Sequence, residues 1–270
     1  MTKVDWPAVR AVVAKDLTAV RRSKAVTIPM LAVPALMLIA LPALTALAIK
    51  NHPDFDVNRF LGAVPGGLKR PILSLPERER LIVLVNGYML APLLLIVPLM
   101  VSAVLAADGF AGEKERKTLE SLLHLPIPDR DLFLAKMLGS FIPAVVVTWA
   151  GFIAYTIVTD LAAWPITHRA ILPTQHWLIL MLWVAPAVAA LGLGVMVRVS
   201  ARARTSQEAN QLGGAVILPL VALAVGQATA LLAIPLWATA TVGLVLWVLA
   251  ILLAARGARK FTRNVLAIQL

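Results

Sequence analysis

The chain has 270 residues, of which 60% are hydrophobic, and its formal net charge is +11. So apolar a composition excludes an ordinary soluble domain, and several uncharged runs exceed the roughly 20 residues that a helix needs to cross a bilayer. The chain has no cysteine, which excludes disulfides and thiolate chemistry. Its bases cluster at the ends of apolar runs, as the positive-inside rule requires, and do not indicate nucleic-acid binding.

Residues 1–24 predict a basic amphipathic helix that lies in the membrane interface. Asp5 is placed to cap this helix, and Pro7 falls in its first turn. Such a helix either anchors the topology of the chain or contacts a partner. Apolar residues recur along one face at steps of three and four: Trp6, Val9, Val13, Leu17 and Val20.

The rest of the chain, 25–270, predicts a single all-α transmembrane domain with six membrane-spanning helices. The last apolar run is about twice as long as a bilayer requires at roughly 1.5 Å per residue, so it is divided into two spans. Most bases fall on one side of this topology, which places both termini in the cytoplasm. The predicted spans are 25–49, 81–107, 132–159, 177–197, 211–232 and 235–255.

Two outer connections separate these spans. Residues 50–80 are rich in proline and glycine and predict a small packed cap after the first span. Residues 160–176 predict a short outer loop between the third and fourth spans. Trp164 and Trp177 are expected to lie at the membrane interface beside it.

The most charged part of the chain, residues 108–131, lies between the second and third spans. Its middle contains leucines at i, i+3 and i+4, which indicate a short amphipathic helix. Two prolines end that helix, and Asp129 is placed to cap the next one. Alternating acids and bases suit a protein partner better than anionic lipid, and a plain connector at the membrane surface is the alternative.

Chemistry that other membrane proteins require is missing from the sequence. No predicted span centre carries an ionisable residue, whereas ion-coupled carriers usually keep one there. The sequence has no GxxxxGK[ST] phosphate loop, no HExxH and no recognisable nucleophile–base pair. We therefore expect no catalytic residue, no metal site and no cofactor in this chain, and a separate subunit that supplies energy.

Two stretches resemble permeases of the type-2 exporter branch of ATP-binding-cassette (ABC) transporters. FAGEKERKTLESLLHLPIPDRDLFLAK, which begins at Phe110, resembles the signature after the second span, with Lys117 where many members have glycine. SARARTSQEANQLGG, which begins at Ser200, is similar to the basic loop before the fifth span. The resemblance covers nearly the whole chain. It implies two six-span subunits, as a homodimer or a heterodimer, above two separate ATPase subunits that bind ATP and Mg.

The resemblance also implies that the cytoplasmic helix after the second span is a coupling helix that docks on an ATPase subunit. Asn86, Ser102 and Gln227 are the polar candidates for lining a substrate path, unless they serve as helix–helix hydrogen bonds. The residues expected to couple the chain to the ATPase are Gly112, Glu113, Glu115, Arg116, Thr118, Leu119, Glu120, Leu122 and Leu123.

The sequence and the resemblance together predict the permease subunit of an ATP-driven exporter in a prokaryotic plasma membrane. Membrane lipids surround it, and no nucleic-acid partner is expected. One alternative is an ATP-driven mechanical transducer through which no substrate passes. The other is a membrane scaffold or assembly factor without an energy source. The uncharged interior favours a lipid-like or amphipathic substrate, and export of sodium is the alternative.

Overall fold

A computed structural model describes residues 4–51, 72–116, 127–200, 203, 205, 207–209, 211–214 and 234–260. These residues form helices and no strand, which confirms the all-α prediction. Five helices are long and apolar enough to cross a membrane. Only 211–214 of the predicted fifth span is described, so the count of six spans stays a prediction. The five are Val26–Asn51, Glu77–Gly112, Asp129–Thr167, Gln175–Ser200 and Leu236–Ala258, here called the first, second, third, fourth and C-terminal spans.

The second and fourth spans form the centre of the subunit. Their most apolar windows are 65% and 61% buried, against 22%, 28% and 17% for the first, third and C-terminal spans. Gly192 lets the two central helices approach closely, because a Cβ there would collide with Leu99 and lie 3.2 Å from the hydroxyl of Ser102. The other three spans surround this pair and expose apolar faces.

The third span is longer than the sequence indicates. It continues as helix to Thr167, so residues 160–167 of the predicted outer loop are helical. At roughly 1.5 Å per residue, its 39 residues extend for about 58 Å. Asp160 fits inside the helix because its carboxylate accepts the backbone N–H groups of Ile171 and Leu172, at 2.9 and 3.1 Å. The acid therefore holds the following loop against the helix.

Four segments of the spans are π-helical: Leu36–Ala40, Val85–Met89, Asp108–Gly112 and Leu180–Val184. In the second of these, the N–H of Leu90 donates to Val85, five residues back, and the carbonyl of Asn86 is passed over. The hydroxyl of Tyr155 donates to that carbonyl. Side chains of neighbouring helices thus satisfy backbone groups that the irregular helix leaves open inside an apolar core.

Trp177 also donates to the π-helical segment Val85–Met89. Its indole N–H donates to the carbonyl of Gly87 at 3.0 Å, and its ring stacks on Phe152 with centroids 5.9 Å apart. Only 1% of Trp177 is exposed, whereas Trp164 is 54% exposed. Trp177 is therefore enclosed by protein, where it donates to the carbonyl of Gly87, and its predicted place at the membrane interface stays a prediction.

The N-terminal helix runs over Trp6–Arg22. Asp5 caps it, as predicted, and accepts from the N–H of Ala8 at 3.2 Å. One face packs on the start of the third span, where Val9 and Val12 form a small core with Leu132 and Ala135. Trp6, which the sequence assigned to the apolar face, is 53% exposed. The helix therefore docks on protein along much of the face expected to meet lipid.

The start of the third span differs from its prediction. Pro128 occupies the capping position, and Asp129 is the first residue of the helix, so the prediction that Asp129 caps it is wrong. Asp131, two residues further, is buried, and its carboxylate accepts the backbone N–H of Asp5 at 2.9 Å. Both acids lie in the first turn, where the helix dipole favours negative charge.

Candidate functional site

Four charged side chains meet where the N-terminal helix, the end of the second span and the start of the third span converge. We call Lys15, Asp16, Glu113 and Lys136 the basal cluster. The ammonium of Lys136 lies 2.5 Å from Glu113 and 3.2 Å from Asp16. The ammonium of Lys15 lies 3.0 Å from Glu113 and 3.3 Å from Asp16. Each acid therefore contacts both bases.

Most of the basal cluster is withdrawn from solvent. The side chains of Lys136, Glu113 and Asp16 are 3%, 7% and 14% exposed, and that of Lys15 is 48% exposed. Buried charges are costly unless they are paired, and here two acids and two bases balance each other. Each charge in the basal cluster therefore depends on its oppositely charged neighbours to offset the cost of burial.

Lys15 is the member of the basal cluster that faces solvent. Burial lowers its pKa, but the hydrogen bond to Glu113 and the charges of Glu113 and Asp16 outweigh that effect, so the pKa is raised above 10.5. A base with a raised pKa in the folded state stabilises the fold below its unfolded pKa and loses this effect as pH rises through the folded value. Lys15 is therefore charged at neutral pH.

Local structure brings these side chains together. Lys15 and Asp16 are neighbours on the N-terminal helix, and Glu113 follows the π-helical end of the second span. Gly139 lies one turn after Lys136 and allows the N-terminal helix to approach, since a Cβ at Gly139 would lie 3.4 Å from the Cβ of Asp16. Sequence reasoning missed Lys15 and Asp16, whose only signal was a lysine–aspartate pair beside the apolar face.

The predicted coupling residues divide into an inner and an outer group. Glu113 belongs to the basal cluster, whereas Glu115 and Arg116 are exposed on the surface just beyond it. Arg116 folds back to Asp108, with 2.9 Å between guanidinium and carboxylate. Gly112 lies beneath this pair, and a Cβ there would lie 2.8 Å from the Asp108 carboxylate. The hydrogen bond that Arg116 donates to Asp108 is the main cause that raises the pKa of Arg116.

Of the other predicted site residues, Ser102 and Asn86 belong to the described part of the chain, and six do not. Ser102 is fully buried and donates to the carbonyl of Leu99 in its own helix, at 3.0 Å. Among the residues that the structure describes, no three acids, histidines or cysteines come together as a metal site. The remaining predicted coupling and path-lining residues lie outside the described residues: Thr118, Leu119, Glu120, Leu122, Leu123 and Gln227.

Asn86 joins the first and second spans. It is fully buried, and its side-chain oxygen accepts from the hydroxyl of Thr45 at 2.8 Å. Its amide group lies 3.4 Å from the carbonyl of Pro42. In the single subunit, Asn86 thus forms a helix–helix hydrogen bond, one of the two roles that the sequence left open.

Replacing Asn86 with leucine tests this packing role. We expect the free energy of unfolding in mixed micelles to fall by about 0.6–1.7 kcal/mol, the range for hydrogen bonds between membrane helices. Thr45→Val should cost little more once Asn86 is leucine, because the two residues share one bond. Fully additive losses would show that the two side chains do not interact.

Comparison with known proteins agrees with this architecture. The model of a family described as "ABC-2 family transporter protein" matches residues 10–244, which include the basal cluster and the first four spans. No curated protein matches the chain. The matched region covers far more than half of the sequence and contains the long apolar helices. The chain therefore belongs to the ABC-2 family of transporter proteins, as a multi-pass membrane component.

Proposed function

We propose that the chain is the permease subunit of an ATP-driven exporter. Two permease subunits, either two copies of this chain or this chain and a homologue, form the substrate path between them. Two separate ATPase subunits bind ATP and Mg and dock on the segment that follows the second span. Their closure moves the permease between inward-facing and outward-facing states. The permease supplies the path and the docking surface, and the ATPase subunits carry out the hydrolysis.

The exposed charges beside the basal cluster carry this proposal. Glu115 and Arg116 lie at the surface immediately after the buried Glu113. The Asp108–Arg116 pair and the basal cluster hold this surface in place from both sides. A charged surface on a rigid base suits a soluble partner with complementary charge. The stretch that continues from it contains the other predicted coupling residues.

The distribution of bases supports the proposed orientation. The end of the subunit that carries the basal cluster also carries Arg21, Arg22, Arg130, Arg198 and Arg256. Bases near the ends of spans favour the cytoplasmic side. This end would therefore face the cytoplasm of a prokaryotic cell, with both termini on that side and an ATPase beneath it.

Copurification with ABC ATPase subunits from the same organism tests the proposed function. The variant Glu115→Arg/Glu120→Arg reverses two charges of the docking segment without altering the buried Glu113. We expect the wild type to retain stoichiometric ATPase and the variant to retain at least about tenfold less, a loss that corresponds to roughly 1.4 kcal/mol of affinity. Glu77→Arg, at an exposed acid of the opposite end, is the matched control and should retain the ATPase.

The outcomes separate the competing functions. If the wild type retains no ATPase in any detergent or in nanodiscs, the exporter proposal is wrong, and the scaffold or assembly factor becomes the better hypothesis. If the docking variant and the control retain equal amounts, the ATPase binds elsewhere on the permease. Loss of the ATPase from the docking variant alone supports the proposed docking surface.

A further inference from the structure

We infer that the basal cluster joins the N-terminal helix, the start of the coupling segment and the third span into one rigid body, through which docking forces reach the third span. Lys15, Asp16 and Lys136 are then positioning residues that act through Glu113. This inference rests on the proposed function. It adds the route by which movement of the docking segment would reach the third span, and it includes the N-terminal helix in that route.

The ion pairs determine which elements follow Glu113 when the docking segment moves. Glu113 is linked to the second span through a π-helical turn and to the third span through the ammonium of Lys136. Separating Glu113 from Lys136 would leave each of these buried charges with one opposite charge in place of two, which is costly in a buried site. Movement of Glu113 should therefore carry Lys136 with it.

The N-terminal helix is fixed to the same body by independent contacts. Asp16 contacts the ammonium of Lys136 at 3.2 Å, and the backbone N–H of Asp5 donates to Asp131 at 2.9 Å. These two contacts lie at opposite ends of the small apolar core around Val9 and Leu132. Contacts spread over three helical turns prevent the N-terminal helix from pivoting about a single point.

The third span can carry a displacement from this body to the opposite end of the subunit. It is one helix from Asp129 to Thr167, and packed helices transmit shifts with little internal deformation. Its far end is attached to the loop 168–174 through Asp160, and Arg169 of that loop pairs with Glu79 of the second span at 2.7 Å. ATP-driven movement at the basal cluster should therefore alter hydrogen exchange in this loop.

A disulfide between the N-terminal helix and the third span tests the inference, because the chain has no cysteine of its own. In Asp16→Cys/Gly139→Cys the Cβ atoms would be 3.4 Å apart, close to the disulfide range of roughly 3.5–4.5 Å. In its reduced form, this variant lacks the charge of Asp16. In its oxidised form, a covalent bond to the third span replaces the ion pair between Asp16 and Lys136. The permease–ATPase complex is studied in nanodiscs by hydrogen–deuterium exchange, without nucleotide and with ATP and vanadate.

We expect the wild-type complex to show an ATP-dependent change of exchange in the loop 168–174. The change should be at least about threefold smaller in the reduced variant, per folded complex, and should return on oxidation. Asp16→Asn, which preserves shape, should behave like the reduced variant. Thr18→Cys/Gly139→Cys is the matched control, because Thr18 lies on the exposed face and its hydroxyl donates to the carbonyl of Ala14 in its own helix.

Four results would overturn the inference. In the first, the disulfide does not form, and in the second, oxidation abolishes the ATP-dependent change. In the third, the reduced variant and Asp16→Asn both show a change as large as that of the wild type. In the fourth, an assembled wild-type complex shows no change. The third would give the charges a structural role only. Failure of the proposed function is distinct, because then the wild-type chain would bind no ATPase at all.

Discussion

Lys136→Met is expected to destabilise the folded subunit by about 3–5 kcal/mol, the usual cost of removing one partner from a buried ion pair. The substitution preserves most of the side-chain volume but leaves Glu113 and Asp16 close together without the buried ammonium that they share, although both still contact Lys15. Lys15 is half exposed, so it cannot neutralise both carboxylates as the buried ammonium does. Unfolding in mixed micelles of increasing sodium dodecyl sulfate measures the loss.

Two companion variants separate this loss from the removal of any lysine. Lys24→Met removes an exposed lysine from the start of the next helix and should change stability by less than about 0.5 kcal/mol. The apolar quadruple variant Lys15→Met/Asp16→Leu/Glu113→Met/Lys136→Met should recover most of the stability, because well-packed apolar residues often replace a buried ion pair without loss. A loss below about 1 kcal/mol for Lys136→Met would show that water reaches the carboxylates.

The helices could be predicted from the sequence, because hydropathy and caps are local signals. The apolar runs place four spans within a few residues of the observed helices, and Asp5 caps the N-terminal helix as predicted. The basal cluster could not be predicted in the same way. Lys15 and Glu113 are 98 residues apart, and Lys136 and Asp16 are 120 apart. Nothing local to either position indicates its partner, since the contact depends on how the helices pack.

Glu113 shows how a contact between distant parts of the chain changes the choice of residues for a functional test. A charged residue in a polar stretch between two spans was predicted to contact the ATPase directly. The structure instead places it inside the subunit, with Glu115 and Arg116 at the surface. Reversing the charge of Glu113 would bring three positive charges together, so a lost ATPase interaction in that variant would not distinguish docking from folding. Docking is better tested at the exposed neighbours.

Trp177→Ala should cost about 3–5 kcal/mol of unfolding free energy, as large-to-small changes of buried tryptophans do. The indole is 1% exposed and packs against Phe152 and Tyr155, with ring centroids 5.9 and 5.8 Å away. Its removal leaves a cavity and also leaves the carbonyl of Gly87 without its indole donor. In an apolar core the second effect adds to the first, because no water is present to replace the donor.

Trp177→Phe separates the loss of ring packing from the loss of the hydrogen bond to Gly87. Phenylalanine retains much of the ring packing but lacks the N–H, so it should lose part of the stability, roughly 1–3 kcal/mol, through the unsatisfied carbonyl of Gly87. Trp164→Ala is the control for an exposed tryptophan of the third span and should have a small effect. Equally mild effects of Trp177→Ala and Trp164→Ala would show that neither ring packing nor the hydrogen bond of Trp177 stabilises the folded subunit. The π-helical segment would then need another donor for Gly87, which makes the Trp177–Gly87 contact the test of how this irregular helix is stabilised.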